Sequence, residues 1–158
     1  MTEDPHGILE INSFRGDYQF LSNFYERPFD WDGMTWRSSE HAFQAAKAEP
    51  GDKVARMAIK MAGTPAIAKK MGRQVKMRAD WDDVKVGIMR DIVRAKFSDP
   101  YLAQQLLATG SAELIEGNTW GDKIWGCVLE NGEWEGRNML GRILMEVRSE
   151  MEKTNGKK

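Results

Sequence analysis

The sequence has little that reacts easily. It contains one cysteine, Cys127, and two histidines, His6 and His41, in 158 residues. An internal disulfide is therefore impossible, which fits a reducing compartment. No Cys or His partner stands near Cys127, and His6 and His41 are far apart, so no metal-ligand spacing exists and no metal is expected. Cys127 has no activating neighbour and reads as inert. There is no phosphate-binding Walker loop and no dinucleotide glycine fingerprint, and no cofactor is expected. No apolar run is long enough to cross a bilayer, and Met1–Gly7 lacks a signal-peptide pattern, so a cytoplasmic protein without a membrane partner is expected. The net charge is −1. That argues against general duplex binding, which depends on neutralising phosphates, but not against a small anion held by a local basic cluster.

What is present is ordinary globular composition, 41% hydrophobic and 30% charged, with six tryptophans. The length suggests one domain. Residues 1–10 read as a flexible leader, 11–152 as the domain and 153–158 as a polar tail. A strand is predicted at Ile11–Phe14, followed by a turn at Arg15-Gly16-Asp17. Asp32-Gly33 between the aromatic runs Phe29–Trp31 and Met34–Trp36 is a hairpin signal, because both turn residues tolerate positive φ.

A helix is predicted from Ser38, whose hydroxyl can cap it, with Glu40 in the first turn where the helix dipole favours a carboxylate. Pro50-Gly51 ends it. Further helices are predicted at Asp52–Met61, with Val54, Met57, Ala58 and Met61 on one face, and from Thr64-Pro65 to about Met71. A basic connection carrying Arg73, Lys76 and Arg78 follows. Asp80 should cap Trp81–Phe97, with Val84, Ile88, Ile92 and Ala95 as its apolar stripe and Lys85, Met89 and Lys96 on an adjacent one. Tyr101–Thr109 is helical, and Glu113–Glu116 a short strand. Gly117–Arg137 is a long loop without period, and its tryptophans argue against disorder. Asn138 should cap Met139–Glu152, with Leu140, Ile143, Leu144 and Val147 inward.

Three polar-aromatic groups could carry chemistry. The first is Asn23-Phe24. The second is the face shared by Glu40, Phe43, Gln44 and Lys47 at helical spacing. It reads either as a polar site on a buried helix or as a solvated surface. The third is Asn118-Thr119-Trp120-Gly121-Asp122. Trp120 either stacks on a ligand or plugs the core, and Asp122 either contacts a sugar hydroxyl or makes a turn. Ser38 and Ser39 read as caps rather than nucleophiles. His41 reads as a supporting or helix-surface residue rather than a base. Gly136, Asn138 and Gly141 place flexible backbone at a helix N-terminus, which either binds phosphate or is a plain cap.

Several blocks, taken in order, resemble one family. They are Leu21-Ser22-Asn23-Phe24; Trp36 with Ser39-Glu40-His41; Phe43-Gln44-Ala45 and Lys47; Trp81, Lys85, Met89 and Ala95-Lys96-Phe97; Trp120-Gly121-Asp122; and Gly136, Asn138, Leu140-Gly141 and Leu144-Met145-Glu146. From Phe14 to Arg148 the chain is similar to the NADAR domain family, named for a suggested link to NAD and ADP-ribose. The resemblance implies an α+β, mainly α fold, a compact single helical domain with a few short strands. It implies hydrolysis of an N-glycosidic bond, most directly removal of ADP-ribose from guanine in nucleic acid. The alternatives are hydrolysis of phosphoribosylamino intermediates of riboflavin biosynthesis and, in a different class, non-catalytic binding of NAD or ADP-ribose.

The implied partner is an ADP-ribosyl or phosphoribosyl substrate, either a small molecule, a nucleotide or an ADP-ribosylated single strand. The resemblance points to Glu40, Trp120 and Asp122 as active-site positions with Lys47 beside them. Asn23, Phe24, Gln44, Trp81, Lys85, Asn118, Trp125 and Asn138 are the candidate substrate contacts. The chemistry is consistent with this, since breaking a C–N glycosidic bond builds positive charge on the sugar, which a carboxylate stabilises. Glu40 and Asp122 are the pair available for that work. Lys47 would be a proton donor, a Schiff-base nucleophile, or a counter-ion for phosphate or for Glu40.

Overall fold

The computed structural model describes residues 9–155; residues 1–8, His6 among them, and 156–158 lie outside the described residues, so most of the expected leader and half of the expected tail fall there, while Lys153–Asn155 continue the last helix. The elements run β1 (Glu10–Ile11), a 3₁₀ helix (Gly16–Leu21), β2 (Phe29–Trp31), β3 (Met34–Trp36), α1 (Ser39–Ala46), α2 (Lys53–Lys60), α3 (Pro65–Gly72), α4 (Trp81–Lys96), α5 (Pro100–Ala108), β4 (Glu113–Leu114), β5 (Gly117–Asn118), β6 (Cys127–Glu130), β7 (Glu133–Glu135) and α6 (Met139–Asn155). The fold is α+β and mainly helical, as the sequence suggests. Its contacts divide it into two units, Asn23–Lys96 and residues 9–22 with 97–155.

In the Asn23–Lys96 unit, Asp32 (φ 53°) and Gly33 (φ 75°) form the predicted two-residue hairpin turn. The register pairs Phe29 with Trp36 and Trp31 with Met34. Trp36 is buried and its indole N–H donates to the Trp31 carbonyl at 2.8 Å. The hairpin leads into α1, which packs against α2, α3, α4 and β3 and has all eight residues buried. Ala42, Ala45 and Ala46 let those neighbours approach its backbone closely. Ser38 caps the helix as predicted, its Oγ accepting from the His41 backbone N–H at 3.2 Å.

Two helices present faces that periodicity did not select. The α2 stripe Val54, Met57 and Met61 points to solvent, with Val54 83% exposed, whereas Ile59 is fully buried. An eight-residue helix can dock by a single residue, and α2 is further held by Arg56, which donates to the Ala48 carbonyl at 3.0 Å. In α4 the buried line is Trp81, Met89, Ile92, Val93 and Lys96, which takes Ile92 from the expected stripe and Met89 and Lys96 from the adjacent one, while Val84 and Ile88 are only half-buried. Packing of Trp81 on Phe43, with ring centroids 5.0 Å apart, accompanies this rotation. Asp80 does not cap α4 with its side chain; its carboxylate takes the Arg78 guanidinium at 2.6 and 3.1 Å. At the end of α4, Lys96 is buried with its Nζ 5.7 Å from the Tyr25 ring centroid, and burial pushes its ammonium down to about 7.

In the other unit β1 pairs in parallel with β4, so the first strand starts at Glu10, inside the expected leader, and ends before the predicted Phe14. The turn foreseen at Arg15-Gly16-Asp17 opens the 3₁₀ helix. The segment read as an aperiodic loop forms a sheet of order β5-β6-β7, parallel then antiparallel. Asn131 (φ 51°) and Gly132 (φ 80°) turn its hairpin. Helix α6 buries Leu140, Ile143, Leu144 and Val147 as predicted.

Asn138 stands just before α6, but its side chain does not cap the helix as expected. It sits at φ 51°, donates from Nδ2 to the Leu114 carbonyl at 2.9 Å and accepts the Glu116 N–H on Oδ1 at 3.0 Å. Its amide thus ties the start of α6 to the chain leaving β4. Replacing it with alanine removes one buried and one part-buried hydrogen bond and strains a left-handed residue. Asn138→Ala should lower the unfolding free energy by about 2–4 kcal/mol, read from urea denaturation. An unchanged midpoint would show that the amide braces nothing.

Candidate functional site

Helix α1 sets the site. Glu40 lies in its first turn, and its backbone N–H is taken by the Asn23 carbonyl at 2.9 Å. The carboxylate of Glu40 belongs to a residue only 7% exposed, and Gln44, one turn on, is 4% exposed. The face is therefore buried, and the solvated-surface reading fails. Gln44 Nε2 donates to Glu40 Oε1 at 3.4 Å, a long bond to a charged acceptor. Lys47 follows as the C-cap residue and is half-buried. Burial lowers its ammonium below the ordinary lysine range; Glu40 opposes that shift, while Arg73, Lys69 and Lys85 add to it. A lysine placed this way releases its proton more readily than one in water. The i, i+4 and i+7 spacing thus presents a buried carboxylate, a buried amide and a half-buried amine along one helix line.

His41 fixes the start of this helix. Its Nε2 lies 3.0 Å from the Ala62 carbonyl, and its Nδ1 2.7 Å from Ser38 Oγ. A carbonyl oxygen only accepts, so Nε2 carries the hydrogen and Nδ1 accepts from the Ser38 hydroxyl. Burial lowers the His41 pKa, and both nitrogens are engaged. His41 is thus a supporting residue, fully buried rather than on a helix surface.

The other candidates in this unit differ in role. Asn23 makes a weak contact from Nδ2 to Met89 Sδ at 3.7 Å, and its carbonyl holds Glu40. Phe24 is 42% exposed, with Lys69 Nζ 5.8 Å from its ring centroid. Trp81 is buried under Phe43 and packs rather than faces solvent. Lys85 pairs with Asp82 at 3.2 Å. Sequence reading missed Lys69 as a neighbour of Lys47 and placed Arg73 in a connection rather than beside the site. The basic run after Ile67 was the available signal.

The remaining candidates belong to the other unit. Trp120 is 56% exposed, so it does not plug a core. Asp122 Oδ1 accepts the backbone N–H groups of Ile124 and Trp125, each at 3.0 Å, which makes it a turn-former. Asn118 is buried; its Oδ1 accepts from Asp122 N at 3.0 Å, and its Nδ2 donates to the carbonyls of Asp122 and Cys127 at 2.8 and 3.1 Å. Its amide is committed to bracing the loop, as that of Asn138 is to bracing α6. Trp125 is half-buried. Burial pushes the Cys127 thiol up, which keeps it protonated. Among the described residues no three His, Cys, Asp or Glu side chains gather to hold a metal, and no helix is long and apolar enough to cross a membrane.

Comparison with known proteins covers most of the chain. The NADAR domain family profile matches residues 12–152. N-glycosidase YbiA of Escherichia coli (strain K12) is 40% identical over 147 residues, spanning 91% of this chain and 88% of that protein. Riboflavin biosynthesis protein VVA0006 of Vibrio vulnificus (strain YJ016) is 41% identical over 153 residues, 95% of this chain but 39% of the longer relative. The NMR structure of the E. coli protein YbiA superposes with a TM-score of 0.79 at 37% identity, covering 98% of this chain and 89% of that one. With a family match over both units and a solved relative of the same fold, the chain belongs to the NADAR domain family.

Proposed function

We propose that the chain is an N-glycosidase that hydrolyses the bond between a ribose carbon and a nitrogen in a phosphate-bearing substrate. The observation that carries this reading is a buried carboxylate, Glu40, set one turn from an amide and two turns from a desolvated lysine on one helix. Relatives named N-glycosidase, at 40% identity in E. coli and 37% in Nostoc punctiforme, support it. As the C–N bond lengthens, positive charge grows on the ribose, and Glu40 is the fixed negative group that stabilises it. Lys47 either delivers a proton to the leaving nitrogen or, once deprotonated, attacks C1 of the opened sugar and expels that nitrogen as the free amine, giving a lysine–C1 imine that water hydrolyses to the free sugar and lysine. Lys69, Arg73 and Lys85 supply the cations for the substrate phosphates. No step is assigned to Asp122, whose Oδ1 is held by backbone N–H groups.

For the substrate we favour ADP-ribosylated guanine, as a nucleotide or in a single strand, with guanine as the leaving group, in the cytoplasm. A second reading is a phosphoribosylamino intermediate of riboflavin synthesis. It is favoured by the names of the Vibrio vulnificus relative and of the chloroplastic riboflavin biosynthesis protein PYRR of Zea mays, 35% identical over 131 residues. A non-catalytic reader of ADP-ribose is disfavoured, because a buried carboxylate opposes binding of an anion that is not chemically altered. Incubation with an ADP-ribosylated guanine oligonucleotide and, separately, with a phosphoribosylamino pyrimidine distinguishes the readings by which one releases its sugar phosphate on chromatography.

Two substitutions test the assigned roles. Glu40→Gln keeps the shape and removes the charge, so turnover should fall on the order of 100-fold with the fold intact, as measured by initial rates and circular dichroism. Near-normal turnover would remove Glu40 from the mechanism. For Lys47, borohydride added during turnover should trap a sugar adduct that mass spectrometry maps to that residue. The absence of an adduct together with an active Lys47→Arg enzyme would reduce Lys47 to a counter-ion.

A further inference from the structure

Gly72 ends α3 in an ordinary right-handed conformation, since it is absent from the residues with positive φ. Glycine weakens a helix relative to alanine, so backbone freedom does not explain it. Space does. A Cβ at Gly72 would collide with Gln44 Oε1, lie 2.7 Å from its Cδ and 3.1 Å from its Cβ. The Gln44 side chain occupies the room that the missing methyl leaves. Its Oε1 is buried against the glycine without a hydrogen-bond partner, while Nε2 points the other way and donates to Glu40 Oε1. Turned over, the amide would set its oxygen against a carboxylate oxygen, two acceptors facing each other.

We propose that Gly72 is a positioning residue for Glu40: by leaving space for the Gln44 amide, it aims that amide's N–H at the carboxylate. The atoms a methyl would strike are mostly the far end of a flexible side chain. Gly72→Ala is therefore accommodated by moving the amide away from Glu40, not by unfolding α3. Loss of a hydrogen bond to a charged group commonly changes an equilibrium or a rate roughly tenfold or more. The link to catalysis rests on the glycosidase reading above, whereas the placement of Glu40 does not.

The test is a double-variant cycle with two readouts. The first is the titration of the Glu40 carboxyl followed by carbon-13 NMR in the full chain. Removing a donor disfavours the charged form, so the midpoint should rise in Gly72→Ala and in Gln44→Ala by similar amounts. Adding Gly72→Ala to Gln44→Ala should change nothing more, because the glycine then has no side chain to aim. The second readout is turnover, which should fall roughly tenfold in each single variant and no further in the double. An unmoved Glu40 midpoint in Gly72→Ala, a shift that adds in the double variant, or a Gly72→Ala chain that fails to fold would each overturn the proposal. If the wild-type chain turns over no substrate, the glycosidase reading fails while the titration still decides the role of Gly72.

Discussion

A carboxylate inside a buried helix is the constraint on which this structure turns. Removing a charged group from water costs several kcal/mol unless hydrogen bonds and nearby charge offset it. Helix α1 meets that condition with residues from its own sequence and from its neighbours. Gln44 donates to the Glu40 carboxylate and Lys47 lies on the same helix line, while the Asn23 carbonyl satisfies the Glu40 backbone N–H that α1 leaves unpaired at its start. Ser38 and His41 lock that start through two hydrogen bonds and a third to the Ala62 carbonyl. Three alanines let the surrounding elements close on the helix, which keeps Glu40 away from bulk water and sharpens its electrostatic effect.

The same enclosure accounts for Lys47. Burial and three neighbouring cations lower its pKa, and Glu40 alone among the named groups pulls the other way. Such an arrangement is unfavourable for folding. Functional sites are where such unfavourable charge placement is retained, because an anionic substrate relieves it on binding. On the proposed reading, Glu40 and the cations act in different ways on one ligand, the carboxylate on the sugar carbon and the cations on phosphate.

Legibility from sequence tracked how local the signal was. Asp32-Gly33 is flanked by aromatic runs and reads at once. Asn131-Gly132 carries the same turn chemistry, but its strands bury only Cys127 fully, so no alternation marks them. The long helix α6 showed its inward face by period alone, whereas α2 is too short for period to predict docking, and α4 buries a line between its two expected stripes, with Trp81 packed on Phe43. In the site, the helical spacing of Glu40, Gln44 and Lys47 was readable, but their burial was not, since it depends on α2, α3 and α4. Lys69, Gly72 and Arg73 arrive from α3, and nothing local ties them to Glu40. Asn118 and Asn138 show the converse: polar residues that resemble ligand contacts but whose amides are occupied by neighbouring backbone.

The central claim is that the Glu40 face is where the ribosyl substrate binds. Titration of nitrogen-15-labelled protein with ADP-ribose, followed by amide chemical shifts, addresses it directly. Saturable shifts centred on Asn23–Phe24, Glu40–Lys47 and Lys69–Arg73 are the predicted result. Binding that leaves those amides unmoved, or no binding at millimolar ligand, would contradict the account.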